Sequence, residues 1–258
     1  IFNQKINYLR YLWSERSLEL EKEQNNIECI EQEKKALLFG SELNYVIDES
    51  IYKKLTRSTI QIKKEFHKKV AILRDEGSNG DREMSVAFHN AGFDVYNFSM
   101  EDLISGEYTL EDFVGIAFVG GFSYSDVLGA GVGWKSVIEN NSILKKEFDN
   151  FYKRLDTFSL GVCNGCQVIS NLGYLGGDIK LVENKSGKFE SRFNLVKIEK
   201  NNSIFLSDME GMIMGIWSSH KEGRMVGHSE FTPVKYVSPD GEPTEMYPYN
   251  PNGSKNGI

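Results

Sequence analysis

The chain has 258 residues, 40% of them hydrophobic and 26% charged, with a formal net charge of −7. That is enough for one large domain or a domain with an appendage, with the balance of a soluble globular protein. The acidic charge argues against a nucleic-acid or membrane-surface binder, no apolar run approaches the roughly 20 residues of a membrane span, and three cysteines make no disulfide framework, so a reducing, cytoplasmic setting is expected.

The sequence begins at Ile1 rather than Met and carries no signal-peptide pattern, which suggests a piece of something longer. Residues 1–66 are rich in Glu, Lys, Leu and Ile at helical spacing and read as a helical linker or appendage. Tyr8, Leu9, Leu12 and Trp13 fall near one helical stripe, and Leu18 and Leu20 follow. "NNIECIEQEKKALL" reads as a second helix and "SIYKKLTRSTIQIKK" as a third segment. Residues 67–258 change rhythm to strand, loop and helix. "KVAIL" (69–73) is a buried-type strand, "REMSVAFHNAG" a helix stopped by Gly92, and "FDVYNF" a second strand. "VGIAFVGG" (114–121) is a third strand running into a glycine turn, and "SVIENNSILKKEFDNFYKR" is one long helix. "TFSLGV" (157–162) is a further strand and "QVISNLGYLGG" a helix after it. This alternation predicts an α/β fold with a mostly parallel sheet flanked by helices, whose ligands bind at the carboxyl ends of the strands. Beyond residue 180 the strands shorten: "FNLVKIE", "MIMGIWSS", and "TPVKYVSPDG" with a Pro-Asp-Gly turn at 239–241.

Chemistry concentrates in "SLGVCNGCQ" (159–167). Cys163 and Cys166 have the spacing of a redox pair, but several strands precede them and Val162 stands where such a pair often has an aromatic residue. A zinc site needs four ligands; the remaining candidates are Cys29 in the helical segment and four scattered histidines. Gly161-x-Cys163-x-Gly165 also has the form of a nucleophile elbow, a sharp strand-to-helix turn whose flanking residues must be small. A helix N-terminus there would favour thiolate, and the N–H of Asn164 would face a developing oxyanion. Two inert core cysteines remain a fourth reading. A second loop, "FVGGFSYSDVLGAGVGW" (118–134), puts Gly120 and Gly121 directly after a strand, where backbone N–H groups can approach a ligand; an ordinary tight turn fits them as well. Two His-x-Glu pairs, His220/Glu222 and His228/Glu230, each offer a base with an orienting carboxylate, and His220/Glu222, following the strand "MIMGIWS", is the better placed on residue pattern alone.

The two loops together resemble the class I glutamine amidotransferase family, flavodoxin-like in fold and with a Cys-His-Glu triad. Within it they resemble the formylglycinamide ribonucleotide amidotransferases of purine biosynthesis in their large single-chain form. The resemblance rests on "LRDEGSNGDREM", "FVGGFSYSDVLGAGVGW", "DTFSLGVCNGCQ", "NKSGKFESRF", "SSHKEGR" and "YPYNPNGSKNGI", and extends to "LWSERSLELEKEQNNIECIEQE" in the helical segment, so it spans nearly the whole chain. It implies a glutaminase domain over 67–258 in which Cys163 forms a γ-glutamyl thioester and releases ammonia. Gly120, Gly121, Phe122 and Asn164 would provide oxyanion and glutamine contacts, and Gln167 would help seat the substrate. It implies a ligase whose partner is a synthetase domain of the same longer chain, reached by channelled ammonia. ATP and Mg belong to that domain; no cofactor or metal is implied here. The resemblance assigns His220 and Glu222 to the glutamine pocket wall and takes the catalytic pair from a later Pro-His-Pro-Glu motif, which does not occur in this sequence. His228 and Glu230 are then surface residues and Cys166 is packing. The chain alone would be inactive or weak. Position 125 is Ser where the family often has Gly or Ala, and Lys221 replaces the Gly of "HGEGR", which questions that loop's shape. Another cysteine hydrolase of the same fold, or a non-catalytic remnant, are the alternatives.

Overall fold

The apolar runs expected as parallel strands pair as such in the computed structural model, which describes residues 3–40, 42–57, 67–176 and 178–258. Two compact units are present: Ile1–Arg57 with Leu181–Ile258, and Ser58–Lys180. The contacts thus gather the N-terminal helices with the C-terminal strands, whereas composition changes at residue 67.

In the unit Ser58–Lys180 the elements are β1 (Lys69–Arg74), β2 (Ser78–Asn79), α4 (Asp81–Asn90), β3 (Asp94–Ser99), α5 (Met100–Ile104), β4 (Gly115–Phe118), β5 (Gly120–Gly121), α6 (Val132–Asn140), α7 (Ser142–Lys153), β6 (Phe158–Gly161) and α8 (Asn164–Asn171), preceded in the chain by α1 (Ile6–Glu21), α2 (Ile27–Phe39) and α3 (Glu49–Arg57). Four strands form an all-parallel sheet in the order β3-β1-β4-β6. In chain order that is second, first, third, fourth, the flavodoxin-like winding, so the expected fold class is met. The winding reverses between β1 and β4, and the loops leaving the carboxyl ends of β1, β4 and β6 carry the residues singled out in the sequence.

The sheet is held by near-continuous burial. Val70–Leu73 and Ile116–Val119 are essentially inaccessible, and Phe98, Phe113, Phe118, Trp134, Phe148 and Phe151 fill the space under the helices. Each such side chain contributes about 1.5–3 kcal/mol by leaving water. Two elements depart from expectation. The long helix over 136–154 is two helices, because Asn141 takes an extended conformation and its side chain accepts the N–H groups of Ile143 and Leu144. A capping residue inside an apolar period ends one helix and starts the next. The strand over 114–121 is split after Phe118: Gly120 and Gly121 leave the sheet and pair antiparallel with Asn79 and Ser78.

In the other unit, β8 (Glu190–Ile198) is the centre of an antiparallel sheet with β9 (Ile213–His220) and β11 (Val234–Tyr236), while β7 (Lys180–Val182) pairs with β10 (Arg224–Val226). The Pro-Asp-Gly turn forms as expected, with Gly241 donating to the Ser238 carbonyl and Ser238 to that of Glu242. α1 and α2 pack on each other. Leu18 is buried between them, but Trp13 and Leu20 of the expected apolar stripe are largely exposed. The third expected segment is helical over Glu49–Arg57, and its remainder lies outside the described residues.

This unit is organised around Arg192. Its guanidinium donates to both carboxylate oxygens of Glu33 on α2 (2.8 and 3.1 Å), to Glu190 (2.6 Å) and to the Tyr247 hydroxyl (2.5 Å). Tyr247 in turn donates to Glu190 at 3.0 Å, and that carboxylate is 1% exposed. Planar, bidentate recognition is what arginine provides and lysine does not. Peripheral pairs, Lys185 with Glu28 and Lys188 with Glu21, sit nearer solvent. Arg192→Ala leaves two carboxylates facing each other without a cation, one of them buried, and is expected to lower stability by about 3 kcal/mol. Lys185→Ala is expected to cost under about 1 kcal/mol. Urea unfolding of both variants checks the contrast; equal midpoints would refute it.

Candidate active site around Cys163

The turn between β6 and α8 is tight because three chain segments meet there. Cys163 takes φ 52°, ψ −110°, a conformation that a residue with a Cβ adopts only under constraint. Its small neighbours are compulsory. A Cβ on Gly161 would lie 2.8 Å from the backbone N of Cys166, and one on Gly165 would run into the Phe118 carbonyl at the end of β4. The helix restarts at once, with Gln167 N–H donating to the Cys163 carbonyl at 3.2 Å. Sequence spacing and tertiary packing agree here on an elbow that holds Cys163 at the surface; the residue as a whole is exposed, while its thiol is partly covered and faces the amides of the glycine loop and of α8. Cys166, on the first turn of α8, backs onto Gly161, and burial pushes its thiol up. Cys29 is buried in α2.

The glycine loop reaches the same point. Gly121 has φ 114°, and a Cβ there would lie 2.9 Å from the Ser78 Cα, so the β2–β5 ribbon closes only over glycine. Its N–H and that of Asn164 both interact with the Cys163 thiol. Burial pushes this thiol up, the Asn164 N–H draws it down, the negative charge of Asp126 pushes it up and the Gly121 N–H draws it down, with a net rise. Desolvation here exceeds what the two amides return, which opposes the thiolate-favouring effect that the helix N-terminus suggests in the sequence. Gly120 lies beside the cysteine, with room for a Cβ at 3.6 Å from that of Cys163. Phe122 is 60% exposed, and its N–H is committed to the Gly77 carbonyl at 3.0 Å. Gln167 is buried, its side-chain carbonyl accepting from Asn164 Nδ2 at 3.1 Å. The structure thus brings Gly120, Gly121, Phe122, Cys163, Asn164 and Gln167 together.

Three features of this loop escape sequence reading. Tyr124, Ser125 and Asp126 are consecutive non-glycine residues with positive φ (52°, 54° and 51°). The Tyr124 hydroxyl donates to Asp75 at 3.1 Å, and burial raises the Asp75 carboxyl. The Asn164 side chain, 1% exposed, accepts the Ser123 N–H at 3.2 Å. Ser125 matters for its backbone rather than its size, since the left-handed region suits the glycine that the family often has there.

His220 and Glu222 belong to the unit Ile1–Arg57 with Leu181–Ile258. β9 ends at His220, so the period-two argument that paired it with Glu222 stops there. His220 Nδ1 meets Asn184 Oδ1 at 3.0 Å, and the same oxygen accepts the Gly223 N–H at 3.1 Å while Asn184 Nδ2 donates to the His220 carbonyl at 2.8 Å. Burial pulls the imidazole down, and the carboxylate that partly offsets this is Glu190. Asn184 is thus the residue that shapes the His220–Gly223 bend; its only sequence signal is its place in "NKSGKFESRF". Lys221 does not adopt positive φ, and it pairs with Glu183 at 3.4 Å, so lysine fits this bend. His228 and Glu230 are exposed, as expected.

A thiol on a strained elbow, with two amides converging on it at the carboxyl ends of parallel strands, has the layout that acyl transfer requires. The family model for a CobB/CobQ-like glutamine amidotransferase domain matches residues 67–258. The chain belongs to this glutamine amidotransferase family. It is 43% identical, over 99% of its length, to a probable phosphoribosylformylglycinamidine synthase, chloroplastic/mitochondrial, of Arabidopsis thaliana, and 38% identical, over all of its length, to the phosphoribosylformylglycinamidine synthase of Homo sapiens. The amidotransferase chain spans only 19% and 21% of those relatives. Among solved structures it is similar to PurLQS from Thermotoga maritima, at 26% identity and a TM-score of 0.60, covering 75% of this chain and 80% of that one. Among the described residues of the amidotransferase chain no helix is long and apolar enough to cross a membrane.

Gly165→Ala is expected to destabilise the fold by about 3 kcal/mol or to prevent folding, through its clash with the Phe118 carbonyl, while Gly120→Ala costs under about 1 kcal/mol. Ser125→Gly should be neutral or stabilising by up to about 1 kcal/mol, because it relieves a left-handed backbone. Thermal melts of the three variants test this ordering.

Proposed function

We propose that this chain is the glutaminase part of a phosphoribosylformylglycinamidine synthase. What supports the reading is the meeting of the Asn164 and Gly121 amides at the Cys163 thiol, on an elbow closed by Gly161 and Gly165. The thiol gives up its proton and Sγ attacks the side-chain amide carbon of glutamine. The carbonyl oxygen becomes an oxyanion that the two N–H groups stabilise. The C–N bond then breaks, the nitrogen takes a proton and leaves as ammonia, and water hydrolyses the γ-glutamyl thioester to glutamate and free thiol. Because the resting thiol is raised, the reaction needs a base that takes its proton and returns one to the leaving nitrogen. That base is assigned to the histidine of the family's Pro-His-Pro-Glu motif. His220 and Glu222 enter as glutamine-binding residues on the sequence resemblance alone.

In this reading ammonia passes to a synthetase domain of the same longer protein, which uses ATP and Mg to amidate formylglycinamide ribonucleotide in a reducing, soluble compartment. Among the described residues here no group of three or more His, Cys, Asp or Glu side chains could hold a metal.

The test is ammonia release from glutamine by the intact protein. Cys163→Ser is expected to reduce kcat by at least about a thousandfold. His220→Ala is expected to raise the glutamine KM with a smaller loss of kcat. Ammonia-dependent synthesis should survive Cys163→Ser, because it bypasses the thioester. Hydrolysis of esters in preference to glutamine would favour another cysteine hydrolase of this fold, and full activity of Cys163→Ser would refute the proposal.

A further inference from the structure

One carboxylate lies close to the nucleophile without a part in the thioester chemistry. Asp126 sits at the end of the left-handed run Tyr124–Asp126. Its Oδ1 accepts from Asn164 Nδ2 at 3.3 Å, and its carboxylate also receives the Gly131 N–H. Both ends of the Asn164 side chain are engaged by this arrangement. Its Nδ2 serves Asp126 and Gln167, and its Oδ1 takes the Ser123 N–H. A primary amide with both ends committed in a buried site cannot rotate without leaving polar groups unpaired. The backbone of the same Asn164 donates toward Cys163, and the loop it holds through Ser123 also carries Gly121. Both amides that face the thiol are therefore tied together by one side chain, and Asp126 fixes that side chain.

We propose that Asp126 is a positioning residue of the Cys163 site: it anchors Asn164, thereby holding the two oxyanion donors in register, and it keeps a negative charge beside the nucleophile. The inference deepens the glutaminase reading and rests on Cys163 as its nucleophile. The charge has a definite sign of effect. Around the thiol, burial and the Asp126 charge push it up, the Asn164 and Gly121 amides draw it down, and the Cys163 charge in turn pushes up the neighbouring Cys166 thiol on α8. A carboxylate near a thiol disfavours thiolate, so in the resting site the cysteine stays protonated and protected from unselective alkylators.

Two substitutions separate the two roles. Asp126→Asn keeps an oxygen that can accept from Asn164 and Gly131 but removes the charge; Asp126→Ala removes both. Each is compared with wild type in the intact protein, with reaction at the Cys163 peptide followed by mass spectrometry. The probes are iodoacetamide across pH and the glutamine analogue 6-diazo-5-oxo-L-norleucine at saturating and subsaturating concentration. Asp126→Asn should shift the iodoacetamide profile to lower pH while keeping the analogue's maximal labelling rate within a few-fold. Asp126→Ala should shift the profile likewise and lose about tenfold or more in maximal analogue labelling, the cost of about one buried hydrogen bond at the donors. Circular dichroism confirms that each variant is folded. If Asp126→Ala is unfolded, Asp126→Asn alone decides through its pH profile. A profile for Asp126→Asn that coincides with wild type, or unchanged analogue labelling in folded Asp126→Ala, would overturn the inference. Failure of the analogue to saturate and label Cys163 in wild type would instead remove the glutaminase reading, and this inference with it.

Discussion

The contact between Gly165 and the carbonyl of Phe118 governs the catalytic side of this molecule. The end of β4 and the start of α8 approach so closely that no side chain fits between them, and that approach forces Cys163 into its outward, strained conformation. The strain persists because a rigid parallel sheet holds both strands, β4 and β6, side by side with Phe118 opposite Gly161. Everything else at the site is arranged from that fixed point. Asn164 follows the nucleophile and so must lie at the first turn of α8, where its backbone faces the thiol and its side chain reaches the glycine loop.

Opposed influences meet at the Cys163 thiol. Burial and the Asp126 charge push it up, and together they outweigh the two hydrogen-bonding amides that draw it down. In the proposed reaction the same amides would face an oxyanion, a charge that develops only as the bond forms, and this is where preorganised dipoles contribute most. The left-handed run Tyr124–Asp126 is the conformational cost of bringing the loop to that geometry, offset by Tyr124 to Asp75 and by the engaged Asn164 side chain.

The other unit follows a different logic. Its sheet is small, and its centre is charged: Arg192 pairs with both Glu190 and Glu33 and stacks on Tyr247, joining α2 to β8 and to the segment near residue 247. Composition marks residues 1–66 as helical and charged, but Glu33 looks like any glutamate of an exposed helix face until Arg192 is placed 2.8 Å from it. The pairing of residues 159 positions apart is a property of the folded chain alone.

The parallel sheet, its helices and the elbow were legible in the sequence because they depend on local signals: apolar runs of strand length, helix stops, and glycines two positions either side of a cysteine. Periodicity misjudged 136–154, where a single Asn in an extended conformation recaps the helix, and 114–121, where the strand leaves the sheet to pair with residues 78–79. It also suggested a His220/Glu222 couple that ends with the strand, since Asn184, distant in sequence, holds that ring. The sequence by itself determined which residue stands on the elbow, because steric demands at a sharp turn are written in adjacent residues. Only the tertiary structure decided the surroundings of that thiol, with Asp126 and Asn164 beside it. Burial, charge proximity and hydrogen-bond pairing arise from segments that meet only when the chain is folded.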